Sequence, residues 1–294
     1  MTAKILCPTD FSPASQHAVR VAARLAREAK ADLELLHVWH LPALAFAGEY
    51  PIPGDALDRM VGDARKELAR AVREATELLG RPVTSQFLDG APWERTCDTI
   101  AADPKIDLVV MGTHGRTGFR RIMLGSVAGQ VVRHARCSVL TVRGREGTQP
   151  YRRILCPVDF SASARRAAEL AATLADPKGL GLTLLHAVQL PVFPMDPTMP
   201  AYVAEVEEEA HATLEAWAAE LRAKTSLPVE ARTVLGSASA QAIALLDAEL
   251  TYDLVAVGSH GRTGLGRVLL GSVAEQLVRH APCSVLVARA ATAG

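Results

Sequence analysis

Charge of one sign is the first thing this 294-residue sequence lacks: 32 Lys+Arg stand against 32 Asp+Glu, a formal net charge of zero. No block of five or six basic residues occurs either, so there is no wide positive field to draw in nucleic acid, and no nucleic-acid partner is expected. Long apolar runs are missing too. Nothing approaches the roughly 18 consecutive apolar residues of a membrane span, and the opening MTAKILCPTDF lacks the basic-then-apolar pattern of a secretion signal. No membrane association is expected. Cysteine is scarce: Cys7, Cys97, Cys137, Cys156 and Cys283 are odd in number and form no C-x-x-C pair, which argues against a disulfide framework or a zinc site and predicts a cytoplasmic location. What is present, 49% hydrophobic, 22% charged and 4% aromatic residues, describes a globular protein of one large domain or two ordinary ones, each of about 100–200 residues.

Internal repetition decides between them. Residues 4–26 align with 153–175 at 12 identities in 23 positions and an offset of 149, and residues 112–140 align with 258–286 at 21 in 29 and an offset of 146. This is a duplication, with domains predicted at 1–146 and 151–294 and a polar, glycine-containing linker at 144–150. Four cysteines fall in equivalent pairs, Cys7 with Cys156 and Cys137 with Cys283, and read as small buried strand residues.

Each copy alternates strand and helix patterns. In the first, strands are predicted at 4–8, 33–38, 83–88, 107–111 and 138–142, with helices at 12–30, 55–79, 92–102 and 126–134; in the second, strands fall near 153–157, 182–188, 229–234, 253–257 and 284–288. The fold class is therefore α/β: two tandem open five-stranded parallel sheets with helices on both faces. Right-handed crossovers can cover both faces only if the chain winds outward one way and then returns to wind the other. The common five-strand solution is order 3-2-1-4-5, a Rossmann-like arrangement whose ligands bind beyond the carboxyl ends of strands 1 and 4.

The informative residues follow those two strands. After strand 4 stand Gly112, Gly115, Gly125 and Ser126, matched by Gly258, Gly261, Gly271 and Ser272 at identical spacing. Glycine lets backbone approach a ligand, successive free N–H groups make an anion-binding concavity, and Ser126 is placed to cap a helix whose N-terminus favours phosphate. No Walker loop or dinucleotide fingerprint occurs. After strand 1 comes Asp10 or Asp159. A carboxylate beside phosphate repels it, so its partner is expected to be the sugar or base of a nucleotide, the alternative being a turn residue that helps Ser12 or Ser161 cap the first helix.

These residues resemble the universal stress protein family: Cys-Pro-x-Asp-Phe-Ser after strand 1, His-Val after strand 2 in the first copy, and G-x2-G-x9-G-[ST] after strand 4. The resemblance covers nearly the whole chain twice and implies a tandem protein of the ATP-binding subclass, with an adenine nucleotide alpha hydrolase-like sheet. It implies ATP contacts at Pro8, Asp10, Val38, Met111, Gly112, Gly115, Gly125, Ser126 and Val127, and at Pro157, Asp159, Ala187, Val257, Gly258, Gly261, Gly271, Ser272 and Val273. Ala187 stands where the family has valine, a looser seat for the base that predicts weaker binding in the second copy. Arg116 and Arg262 enter the glycine segments as phosphate-pairing candidates, with a solvated loop as the alternative. Any Mg²⁺ is expected to ride on the phosphates, with no metal site of the protein's own.

His114 and His260 read as loop-stabilising groups rather than catalysts, while His134 and His280 close helix 4. The proline-rich segments at 40–54 and 190–200 fold over a nucleotide, form an interaction surface or pack on the domain edge. The function implied is an ATP-binding stress-response module in which occupancy regulates conformation or partner choice. A slow ATPase and a nucleotide-free scaffold are the alternatives, and no catalytic residue is assigned. Family resemblance also implies intramolecular pairing of the two domains through their last strands, and is compatible with a further homodimer.

Overall fold

A computed structural model describes residues 2–40, 54–113, 125–143, 149–189, 199–261 and 270–290. The chain divides into two compact units, Met1–Thr148 and Gln149–Gly294.

In the first unit the elements run β1 (Lys4–Pro8), α1 (Pro13–Ala29), β2 (Asp32–Trp39), α2 (Gly54–Leu79), β3 (Thr84–Asp89), α3 (Pro92–Ala102), β4 (Ile106–Gly112), α4 (Ser126–His134) and β5 (Ser138–Val142). In the second they run β6 (Arg153–Pro157), α5 (Ala162–Leu174), β7 (Gly181–Val188), α6 (Met199–Thr225), β8 (Val229–Leu235), α7 (Ala238–Ala248), β9 (Leu254–Gly258), α8 (Ser272–His280) and β10 (Ser284–Ala288). The first unit orders its strands β3-β2-β1-β4-β5 and the second β8-β7-β6-β9-β10, all pairs parallel. Both are the 3-2-1-4-5 sheet expected from the sequence.

Continuous apolar runs make the central strands because a parallel sheet covered on both faces has no solvent side for an alternating pattern. Ile5, Leu6, Val109 and Val110 are fully buried in one unit, and Ile154, Leu155, Val255 and Ala256 in the other. Helices α1 and α2 pack together on one face of their sheet and α3 and α4 on the opposite face, with α5 and α6, then α7 and α8, repeating the plan. The reversal of winding falls between β1 and β4, and between β6 and β9.

Cys7 and Cys156 lie in the central strands as expected, and burial drives both thiols above the normal thiol range. Cys137 and Cys283 are buried too, but they occupy the bend just before β5 and β10 rather than the strand itself, because the ladder with β4 and β9 begins one residue later, at Ser138 and Ser284. Among the described residues no helix is long and apolar enough to cross a membrane.

Candidate functional site

In the first unit β1 ends at Pro8, but its ladder with β2 runs one residue further: Thr9 N donates to Leu36 O at 2.8 Å. The chain then turns sharply. Thr9 Oγ1 accepts from Phe11 N at 3.2 Å, and Asp10 Oδ1 accepts from both Ser12 N (3.1 Å) and Ser12 Oγ (2.6 Å). Ser12 is the N-cap of α1, its hydroxyl accepting from Ser15 N. The turn-stabilising role weighed for Asp10 is thus real, and it engages oxygen Oδ1. In the second unit Asp159 Oδ1 accepts from Ser161 N at 3.1 Å, and Ser161 caps α5.

Phe11 and Phe160 adopt φ of 64° and 67°. A side chain in this left-handed region costs about 1–2 kcal/mol, and the ring is held in compensation: Phe11 stacks on His37 at 4.3 Å, and Phe160 lies against His186 at 4.5 Å. Each histidine also places Nδ1 on the carbonyl two residues before its phenylalanine, His37 on Thr9 O (2.8 Å) and His186 on Val158 O (2.7 Å).

Beside this turn the end of β4 meets the start of α4. Gly125 N donates to Thr113 O at 2.7 Å, and Gly271 N to Ser259 O at 2.8 Å. These bonds correct the expectation for the serines. They fix the entry into each helix at the glycine, so Gly125 and Gly271 are the N-caps and Ser126 and Ser272 are the first helical residues. Neither N-cap supplies a side-chain hydrogen bond, and each helix turns its N-terminus, with its positive dipole end, to the switch point. Ser126 and Ser272 are exposed there, with Val127 and Val273 half-buried behind them.

The motif glycines do different jobs. A Cβ on Gly112 would lie 2.8 Å from the Ala14 carbonyl carbon, and one on Gly258 would lie 2.8 Å from Ala164 N. What approaches these two positions is the backbone of the first helix. A Cβ on Gly261 would instead lie 2.8 Å from Asp159 Oδ2, so that glycine borders the acidic turn directly.

His260 behaves as a loop-stabilising residue: its Nδ1 meets Ser259 Oγ at 2.9 Å, and its carbonyl accepts from Ser163 Oγ and, at 3.4 Å, from Ser161 Oγ. Its Nε2 is buried with no hydrogen-bond partner. Sequence reasoning passed over Ser163, Phe11 and Phe160. The one available signal for Ser163 was its difference from Ala14 at the equivalent place in the first copy.

Pro8, Asp10, Gly112, Gly125, Ser126 and Val127 thus sit on the connected ends of β1, β4 and α4, and Pro157, Asp159, Gly258, Gly261, Gly271, Ser272 and Val273 on those of β6, β9 and α8. Val38 and Ala187 lie one strand further out, near the ends of β2 and β7. The side chains of Met111, Val257 and Val38 are buried in the core. Gly115, Arg116, His114 and Arg262 lie outside the described residues. Among the described residues no three His, Cys, Asp or Glu side chains converge on a metal position.

A universal stress protein of Mycobacterium tuberculosis H37Rv is 30% identical over 295 residues, covering 97% of this chain and 96% of its own. One from Methanocaldococcus jannaschii is 34% identical over 142 residues, 48% of this chain and 81% of its own. The crystal structure of a universal stress protein from Archaeoglobus fulgidus matches the fold with a TM-score of 0.67 at 22% identity, covering 98% of this chain and 99% of that one. The profile of the universal stress protein family matches twice, at residues 1–143 and 150–289, and this chain therefore belongs to that family.

Proposed function

We propose that each domain, 1–146 and 151–294, binds ATP at its switch point, and that occupancy regulates the conformation or partner choice of the chain in a stress response. The observation that carries this reading is the meeting of three elements in each unit: the acidic turn after β1 or β6, the glycine end of β4 or β9, and a helix N-terminus whose N-cap is glycine. Backbone N–H groups at that terminus suit phosphate oxygens. The carboxylates of Asp10 and Asp159 repel phosphate and suit ribose hydroxyls or the exocyclic amine of the base, while Gly261 leaves room beside Asp159 that a Cβ would fill.

Pro8, Val38, Met111, Gly112, Gly115, Arg116, Gly125, Ser126 and Val127 would line the first site, and Pro157, Ala187, Val257, Gly258, Gly261, Arg262, Gly271, Ser272 and Val273 the second. Mg²⁺ would be carried by the nucleotide's phosphates. Bound ATP supplies a ligand whose presence shifts populations, provided it binds one conformation better than the other; the chain's own residues orient and neutralise it.

The last strand of each unit, Ser138–Val142 or Ser284–Ala288, contains no proline or charged residue. It lacks the features that protect a sheet edge from pairing, which supports pairing of the two domains through these strands. Native mass spectrometry of gently purified protein, followed by ATP titration, tests the assignment. Up to two ATP per chain are expected; rapid release of ADP would favour the ATPase alternative, and no binding at millimolar ATP would overturn the nucleotide reading.

A further inference from the structure

Both units place an unfavourable residue at the same strained position. Phe11 and Phe160 hold φ of 64° and 67°, where glycine or asparagine would enter at little cost. Each ring is engaged with a histidine of the neighbouring strand, and that same histidine binds the carbonyl on the other side of the aspartate: His37 to Thr9 O at 2.8 Å, His186 to Val158 O at 2.7 Å. Asp10 and Asp159 are therefore flanked by two points fixed by one imidazole.

The ring pair is buttressed differently in each unit. The cross-strand partner of His37 is Phe87, whose ring lies 5.4 Å away with the Arg65 guanidinium over it at 4.1 Å from the ring centre. The cross-strand partner of His186 is Thr233, which offers no ring. There α6 supplies Trp217, edge-on to Phe160 at 5.3 Å and covered by the Arg165 guanidinium at 4.2 Å. Two unrelated supports hold one arrangement, so the arrangement itself is what the fold protects. A left-handed phenylalanine is retained at an energetic cost in both copies, at the residue directly after the acidic turn's carboxylate.

We propose that Phe11 with His37, and Phe160 with His186, are positioning pairs: they hold the Asp10 and Asp159 carboxylates in the orientation that receives the sugar or base of the nucleotide. The inference rests on the ATP reading above. A mobile carboxylate would have to be ordered on binding, and that ordering costs affinity. The phosphates engage the glycine segment and the helix N-terminus, so the pair bears on recognition of the nucleoside and leaves phosphate binding untouched.

The test uses the full chain carrying Phe11→Gly and Phe160→Gly together, titrated by calorimetry with ATP and, separately, with inorganic triphosphate. Glycine accepts the left-handed backbone, which offsets the lost ring contacts, so the thermal midpoint is expected to stay near wild type. ATP affinity is expected to fall by about tenfold, about 1.4 kcal/mol, while triphosphate affinity stays within about twofold. Phe11→Tyr with Phe160→Tyr should bind ATP as wild type does. Equal ATP binding by the glycine variant would overturn the positioning role while leaving the ATP site standing. Parallel loss of ATP and triphosphate would show a general structural role and also overturn it. Absence of ATP binding by the wild type would remove both. If the glycine variant does not fold, Phe11→Asn with Phe160→Asn, which tolerates the same backbone region, is measured with the same outcomes.

Discussion

Gly258 and Gly261 stand three residues apart in one motif, and the structure predicts opposite consequences of adding the same methyl group to each. A Cβ at position 258 would lie 2.8 Å from Ala164 N and from the Ser163 carbonyl carbon, and 2.6 Å from Ser163 Oγ. The hydroxyl can rotate, but the backbone atoms belong to the first turn of α5 and must retreat by roughly half an ångström, the kind of overpacking that costs about 1–3 kcal/mol. Reduced freedom of the unfolded chain returns about 0.4–1 kcal/mol, leaving Gly258→Ala destabilised by about 1–2 kcal/mol. In a unit of this size that lowers the thermal midpoint by about 3–6 °C.

At position 261 the new Cβ would lie 2.8 Å from Asp159 Oδ2, the end of a rotatable side chain. The carboxylate can turn aside without moving the backbone, at the expense of its 3.1 Å bond from Ser161 N, so Gly261→Ala should lower the midpoint by no more than about 2 °C, since changes that strain no backbone stay near 0.5 kcal/mol. The displaced carboxylate should instead weaken ATP binding at the second site by about tenfold. Scanning calorimetry of the nucleotide-free protein and an ATP titration separate the two effects. A Gly258→Ala protein that melts with wild type, or a Gly261→Ala protein destabilised as much as Gly258→Ala, would refute the division of labour.

Two further outcomes follow from buried groups. The thiols of Cys7 and Cys156 are pushed above their ordinary value of 9.0 by burial, so their contribution to stability is intact below that value and is lost as pH rises above it, when the unfolded chain can ionise and the folded one resists. Between about pH 8 and 10.5 the melting temperature of the wild type should fall more steeply than that of Cys7→Ala with Cys156→Ala; parallel slopes would contradict this. Ser163 donates to the His260 carbonyl, and Ala14 occupies its equivalent place in the first unit. Ser163→Ala should therefore loosen Ser259–Gly261 by about 1 kcal/mol, seen as faster amide exchange there and unchanged exchange at Thr113; unaltered protection would mean that the serine does not hold the segment.

Much of this protein was legible in the chain because the signals are local. Duplication shows as identities at fixed offsets. Parallel strands show as apolar runs of the right length, and the strand order follows from the handedness of crossovers once five strands alternate with helices. Glycine spacing after β4 and β9 and the acid after β1 and β6 pointed to the carboxyl end of each sheet, where the structure sets Gly261 beside Asp159 and packs Gly112 and Gly258 against the first helix of each unit. The helix cap falls one residue earlier than expected, since Ser and Gly are both good caps and the choice rests on a hydrogen bond from Gly125 N to Thr113 O, between residues twelve apart in the chain.

Sequence by itself determined that there are two α/β units and which strand ends gather glycine, serine and acidic residues, since periodicity, spacing and repetition are properties of the chain alone. Tertiary structure decided the rest: that Gly258 makes room for a helix while Gly261 makes room beside a carboxylate, that the residue after each aspartate is left-handed, and that a histidine about 26 residues onward holds both sides of that turn. Those facts depend on which atoms come within three or four ångströms of one another across long stretches of sequence, and only the folded chain sets such distances.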